Sequence, residues 1–480
     1  MDSIYIGSVQ PSIIYFNEIK MDSDRMDAHF YHSKYINNEK HINESGMRVE
    51  PLERVILKIN SPIGWQGIPS ESYLPEGLGV PLIRVQNVND LMLDRDTLIG
   101  VQEYIYQEQP AIQAESDDII ITRVGTIGRV CRIPEKISKI AMGQNLTRIK
   151  VDTNIITSEY LTVFMASDYC QLQMKRYAYG GVQPSLTNKN IKQLSVPIPS
   201  PKIQEYIGNK VRRAEELREE AKKLREGMIT MLYSTIELPS NLENQNDKYN
   251  FVSNQYLDDM RMDAIYYMKK YIEYGSKLNE KEVVNLGNII KESRYGASIS
   301  ANYCETGIPF LRGLNLFENE INDDIVYLNE SLRNEIGKAI VTEGDILITR
   351  SGSVGITAVV DDRQEGYAFG SFMIKLVIDK EMWNPYYISA FLNSFWGKWQ
   401  IERQKNGAVQ QNINLQEIYR ILVPKIDLDK QNTFETLIKE YMHKEIESKQ
   451  LIQEAKQDVE DLIEDNFDMS KLNETTTESR

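Results

Sequence analysis

The stretch DDIIITRVGTIG, Asp117 to Gly128, is answered 227 residues later by GDILITRSGSVG, Gly344 to Gly355, and this pairing decides the architecture. Both copies join a short β-branched apolar run, Ile119 to Thr122 and Ile346 to Thr349, to a Gly-containing tetrapeptide, the pattern of a strand entering a tight turn. The offset of 227 continues through Gly143 and Gly370, Gln183 and Gln410, Ile191 and Ile418, and Pro197 and Pro424. Upstream, GVPLIRVQN (Gly79 to Asn87) answers GIPFLRGLN (Gly307 to Asn315) at an offset of 228, and Arg25, Met26, Asp27, Ala28 answers Arg261, Met262, Asp263, Ala264 at 236. An aromatic pair follows each of the latter, Phe30 and Tyr31 against Tyr266 and Tyr267. A nearly constant offset over so many landmarks means that one domain has been duplicated.

Each repeat is expected to be α+β. Apolar and aromatic residues recur at helical spacing between Ser158 and Tyr177 and between Pro385 and Arg403, as in Leu161, Phe164, Met165 and Ile388, Phe391, Leu392. After each repeat a Pro-marked exit leads into a long helix. In the first, Ile207, Ala214, Leu217, Ala221, Leu224, Met228 and Met231 fall on alternating three- and four-residue steps, broken at Lys210. In the second, Phe434, Ile438, Tyr441, Ile452, Ala455, Val459 and Leu462 do the same, with Glu445 and Ser448 interrupting. The pair fits a coiled coil, or two amphipathic helices each packed on its own domain. The expected layout is a first domain over residues 1–200, a spacer helix over 201–236, a second domain over 237–426, a second helix over 427–467 and a disordered tail over 468–480.

With 41% apolar and 9% aromatic residues in 480, the chain has the composition of folded protein. No stretch approaches the ~18 consecutive apolar residues of a membrane span, so a cytoplasmic location with no membrane partner is expected. Cys131, Cys170 and Cys304 have no close spacing and only four histidines accompany them, which supports neither a disulfide framework nor a zinc site and suggests three semi-buried thiols. The net charge of −15 argues against non-specific coating of nucleic acid. Its distribution softens that argument: residues 426–480 carry 15 acidic and 7 basic residues, a net of −8, whereas residues 51–200 carry 15 of each.

Catalytic patterns are missing. No phosphate loop, HExxH or CxxC occurs, and none of the 16 prolines precedes an Asp, which removes the simplest nuclease signature. Gly125/Gly128 and Gly352/Gly355 fit hairpin turns. Asn384, Pro385, Tyr386, Tyr387 is close to the NPPY segment of amino-methyltransferases but lacks the second proline, and it is expected to start a helix.

Lys291 to Gly307 (KESRYGASISANYCETG) and Ser61 to Gly77 (SPIGWQGIPSESYLPEG) hold matched places, lack core periodicity and differ wholly in sequence. One framework carrying two different polar loops suits a pair of recognition surfaces; the alternative is a pair of solvated loops. Their Arg, Asn, Gln and Ser side chains can hydrogen-bond base edges in the major groove.

Taken together, the RMDA-aromatic, GxPxxRxxN and D-apolar-ITRxGxxG segments, the Gln183 and Gln410 stretches and the two long helices resemble the specificity subunit of type I restriction-modification systems, over roughly Arg25 to Phe467. The resemblance implies two tandem target-recognition domains separated by two antiparallel coiled-coil helices, a double-stranded DNA ligand, two methyltransferase subunits and restriction/translocase subunits as partners. It implies no cofactor on this chain, with S-adenosylmethionine, ATP and Mg held by partners, and no catalytic role. Candidate base contacts are Ser61, Gln66, Ser70, Ser72, Arg84 and Asn87 in the first half, and Arg294, Tyr295, Ser298, Ser300, Asn302, Arg312 and Asn315 in the second. Arg123, Thr126, Arg350 and Ser353 are candidate phosphate contacts or turn residues. The rival readings are a self-contained DNA methyltransferase and a duplicated coiled-coil scaffold.

Overall fold

Ile119, Ile120 and Ile121 are all fully buried, yet they belong to two different cores: Ile119 and Ile121 to one, Ile120 to the other. Alternate side chains of a strand point to opposite faces, so this strand must be covered on both sides. The same split recurs in the second repeat, where Ile346 and Ile348 enter one core and Leu347 another. That double burial explains why both segments are runs of apolar residues instead of alternating ones.

In the computed structural model the described residues are 29–62, 68–89, 91–180, 183–242, 251–253, 257, 261, 263–300, 303–405 and 411–474. The chain divides into two compact units, Met1–Arg218 with Ile446–Arg480, and Glu219–Glu445. In the first unit an antiparallel sheet runs Val130–Arg132, Ile119–Thr122, Leu146–Val151, Ile56–Asn60. A second sheet runs Tyr73–Leu74, Ile99–Val101, Val80–Ile83, Ile140–Met142, Gln113–Ala114, and in it Val80–Ile83 and Ile140–Met142 are parallel. In the second unit the first sheet keeps its order as Thr357–Val359, Ile346–Thr349, Met373–Ile378, Ile290–Tyr295. The other is Tyr303–Cys304, Val326–Leu328, Ile308–Leu311, Ala368–Phe369, again with one parallel pair.

The helices on the far face begin and stop where their caps dictate. Ser158–Ala166 and Asp168–Tyr177 are separate helices because Ser167 breaks the first and caps the second; Ser394 does the same between Pro385–Asn393 and Phe395–Gln404. Asn384 is an N-cap, as expected of a helix start. The hairpin turns also follow the sequence reading. Gly128 and Gly355 have φ of 85° and 97°, and a Cβ at either would meet Gln171 or Ile401 at 2.7 Å.

Two 36-residue helices, Pro201–Ile236 and Leu428–Ile463, stand at the expected places, and each is shared between the two units. Within the first unit, Ile207, Val211 and Ala214 share a core with Ile452, Ala455 and Val459. Two of the three interruptions of the pattern are satisfied there: Lys210 donates to Asp458 (2.7 Å) and Glu454 (2.9 Å), and Ser448 donates to the Ala214 carbonyl (2.9 Å). Within the second unit, Met228, Leu232 and Ile236 share a core with Phe434, Ile438 and Tyr441.

Three expectations are corrected. The segment after Lys291 is not wholly a loop, because Ile290–Tyr295 pairs with Met373–Ile378 as an edge strand; such a strand needs no apolar periodicity. Residues 468–474 are ordered, with a helical turn at Lys471–Glu474 and Lys471 bonded to Asp458 at 2.8 Å. Cys131 and Cys170 are fully buried and Cys304 is exposed, in place of three semi-buried thiols. Among the described residues no helix is long and apolar enough to cross a membrane, and no group of side chains could hold a metal ion.

Candidate nucleic-acid interface

The parallel strands Val80–Ile83 and Ile140–Met142 end side by side, and the chain leaving each supplies polar side chains: Arg84 and Gln86 from one, Gln144 from the other. A cleft of about 590 Å³ opens there. Ser70, Tyr73 and Arg129 complete its polar lining, which among the described residues includes two arginines and no carboxylate. Arginine and amide side chains at the mouth of a shallow cleft are the groups that make bidentate bonds to purine edges, and the local positive charge favours a polyanion.

The candidates from sequence fall into groups. Ser70 and Arg84 line this cleft; Ser72 lies half-buried in the same single helical turn, Ser70–Ser72. Arg84 donates to the Thr97 carbonyl at 2.9 Å, which fixes its reach. Gln86, Arg129 and Gln144 line the cleft without having been singled out. The signal lay within one shared landmark and just after another, where RVQN gives way to RGLN and GQN to GSF.

Asn87 and Asn315 must be withdrawn as DNA contacts. Both are 0% exposed, and each accepts from the backbone N–H three residues earlier, Arg84 at 2.9 Å and Arg312 at 2.8 Å. Their amides are spent on Thr97 (2.7 Å), and on Asn322 (2.8 Å) and the Asp324 carbonyl (2.7 Å). They build the turn that presents the arginine. Ser61 is likewise buried, bonded to Thr147 at 2.8 Å and Asn188 at 2.9 Å, and is withdrawn. Gln66 and Asn302 lie outside the described residues.

In the second unit Arg312 occupies the place of Arg84, held by the carboxylate (3.0 Å) and carbonyl (2.7 Å) of Asp324. Its guanidinium lies 5.8 Å from the Tyr303 ring centre. Tyr295 carries Arg350 over its ring at 4.8 Å and accepts from the Leu415 N–H at 3.2 Å. Arg294 is turned onto Glu292 (2.9 Å), while Ser298 and Ser300 are exposed. At the two hairpins, Thr126 and Ser353 are exposed, and Arg123 and Arg350 are half-buried. Arg84, Arg123, Arg312 and Arg350 share one feature. The Nε of each is buried with no hydrogen-bond partner among the described residues.

Residues 66–225 match the family described as type I restriction modification DNA specificity domain. The Escherichia coli type I restriction enzyme EcoBI specificity subunit is 30% identical over 139 residues, 29% of this chain and 28% of that one. The MjaX type I restriction enzyme specificity subunit of Methanocaldococcus jannaschii is 24% identical over 401 residues, 80% of this chain and 86% of that one. Among solved structures, the type I restriction-modification S subunit of M. genitalium aligns over 89% of this chain and 97% of its own, at 14% identity and a TM-score of 0.46. The specificity-domain match over residues 66–225 and the relative that spans both repeats make the chain similar to the specificity subunits of type I restriction-modification systems.

Proposed function

We propose that the two units read the two halves of a bipartite, asymmetric target, and that the long helices act as an antiparallel spacer that fixes the distance between the halves. The chain recruits two methyltransferase subunits, which bring S-adenosylmethionine, and restriction/translocase subunits, which bring ATP and Mg. The observation that carries this reading is the repetition of one frame with two linings. The turn Arg84–Asn87 and the turn Arg312–Asn315 are bonded alike, yet Gln86 faces solvent in one and Leu314 in the other.

Selection of bound sequences from a random duplex pool, with methyltransferase subunits present, tests it. Two unlike half-sites at a fixed separation are expected. Replacing Lys281 to Pro424 by the corresponding first-repeat segment, residues 47–197, should then convert the selected target into a palindrome. An asymmetric target retained after that exchange overturns the reading.

A further inference from the structure

Two positions at the polar cleft of the first unit, Gln86 in its lining and Asn145 next to the lining residue Gln144, have apolar counterparts in the second. Leu314 stands where the first repeat has Gln86, and Phe372 where it has Asn145. Backbone bonding supports the second equivalence: the Arg123 N–H donates to the Asn145 carbonyl at 2.9 Å, and the Arg350 N–H to the Phe372 carbonyl at 2.8 Å. Leu314 and Phe372 are 56% and 55% exposed. They leave the ends of the parallel strands Ile308–Leu311 and Ala368–Phe369, and a Cβ placed on Gly313 would lie 3.8 Å from that of Phe372. Single exposed apolar residues need no explanation. Two on adjacent strand-end loops, at places where the other repeat carries amides, do call for one.

Resting on the proposed bipartite reading, we infer that Leu314 and Phe372 contact the 5-methyl group of a thymine in the second half-site, so that this half is read partly by apolar contact and the first by hydrogen bonds. The thymine methyl is the one apolar group that a base pair of unmodified DNA presents in the major groove, and an aliphatic or aromatic side chain is its complement. A neighbouring surface for a protein subunit is the other occupant the patch could take, and the experiment separates the two.

The chain, assembled with its methyltransferase subunits, is titrated with the selected duplex and with duplexes in which each thymine in turn is replaced by uracil, which lacks only the methyl. One position in the second half-site should lose roughly fourfold in affinity, the worth of one buried methyl. Leu314→Ala and Phe372→Ala should each shrink that ratio toward one. Both side chains are surface-exposed, and the wild-type titration needs no variant at all. Indifference to every thymine methyl in that half-site overturns the inference. So does a methyl effect that survives both substitutions, or variants that weaken subunit assembly with the ratio unchanged, the result expected of a protein surface. A chain that selects two half-sites but ignores the methyl overturns this inference alone; one that selects no sequence overturns the bipartite reading with it.

Discussion

Where the helices meet the first sheet, the two units solve one packing problem with opposite chemistry. In the first, Arg132 is 1% exposed and sits among carboxylates: Glu215 on the long helix at 2.5 Å, Asp117 on the preceding turn and Glu159 at 3.8 Å. Glu159 in turn accepts from Arg212 at 2.6 Å. At the matched positions of the second unit stand Val359 for Arg132, Tyr386 for Glu159, Met442 for Glu215 and Lys439 for Arg212. Lys439 there lies 5.3 Å from the Tyr386 ring centre, so an ion pair has become a cation–π contact. Burial alone would favour a neutral Arg132, and the surrounding carboxylates more than offset it and hold the guanidinium charged. The lesson is that the fold at this junction requires a filled volume, not a particular interaction. Charges meet that requirement only as a complete set.

The largest expected effect breaks that set. Arg132→Val alone leaves Glu215 and Glu159 buried without their main partner and should destabilise the first unit by about 3–5 kcal/mol. Arg132→Val, Glu159→Tyr and Glu215→Met together copy the second unit, and should recover most of that loss or exceed wild type, since apolar replacement of a whole buried cluster is often neutral or stabilising by about 1–4 kcal/mol. Hydrogen exchange read on peptides of each unit measures this directly. Three of the four tryptophans, Trp383, Trp396 and Trp399, lie in the second unit, so their fluorescence serves as the internal control. A triple variant no more stable than the single one would show that the network itself, not the volume, is required.

Much of this frame was legible in the sequence because duplication provides its own alignment. The offset of 227 that joins Gly128 to Gly355 also joins Pro201 to Leu428, the first residues of the two long helices. The interruptions at Lys210 and Ser448 were visible, and their partners are the opposite helix of the same unit. The candidate binding surface was less legible. Asn87 and Asn315 have the chemistry of base-reading side chains, but a residue retained in both halves of an asymmetric reader is more readily part of the shared frame. Their burial and turn bonds bear this out. Gln86 and Gln144 escaped notice because one lies inside a landmark and the other adjoins one, and neither sits in an obvious polar run. Which strand ends meet depends on the parallel pairing of Val80–Ile83 with Ile140–Met142, about sixty residues apart, and no local pattern encodes it.

A smaller effect tests the part that the repeats share. Gln204 accepts from the Thr157 N–H at 2.9 Å and donates to the Pro199 carbonyl at 3.0 Å; Gln431 accepts from the Asn384 N–H at 2.8 Å and donates to the Ile426 carbonyl at 2.9 Å. Each buried amide therefore ties the start of a long helix to the N-cap of a shorter one. Replacing either by Ala strands two polar groups and should cost about 1–3 kcal/mol, nearly equal in the two units. Unequal losses in urea unfolding would mean that the matched geometry hides different surroundings.

The smallest effect is a dependence on acid that only one side of the comparison should show. Burial would raise the Glu159 carboxyl, but the charge of Arg132 and the bond from Arg212 outweigh it and hold the group below its usual value of 4.5. A carboxylate with a depressed folded value stabilises the fold above the unfolded value, and that contribution is lost as pH falls through the folded one. The counterpart Tyr386 is pushed upward by burial and does not titrate in acid. Glu159→Gln keeps an oxygen acceptor for Arg212 and removes the charge, so the stability gap between wild type and variant isolates this one group from every other carboxylate. The gap should be full above about pH 4.5, close as the solution is acidified further, and correspond to uptake of at most about one proton on unfolding. Tyr386→Phe, the matching change in the second unit, should shift stability by an amount that does not vary over the same range. A gap for Glu159→Gln that is flat through acid would mean that the carboxyl titrates alike in the folded and unfolded protein, and that Arg132 and Arg212 give it no net stabilisation.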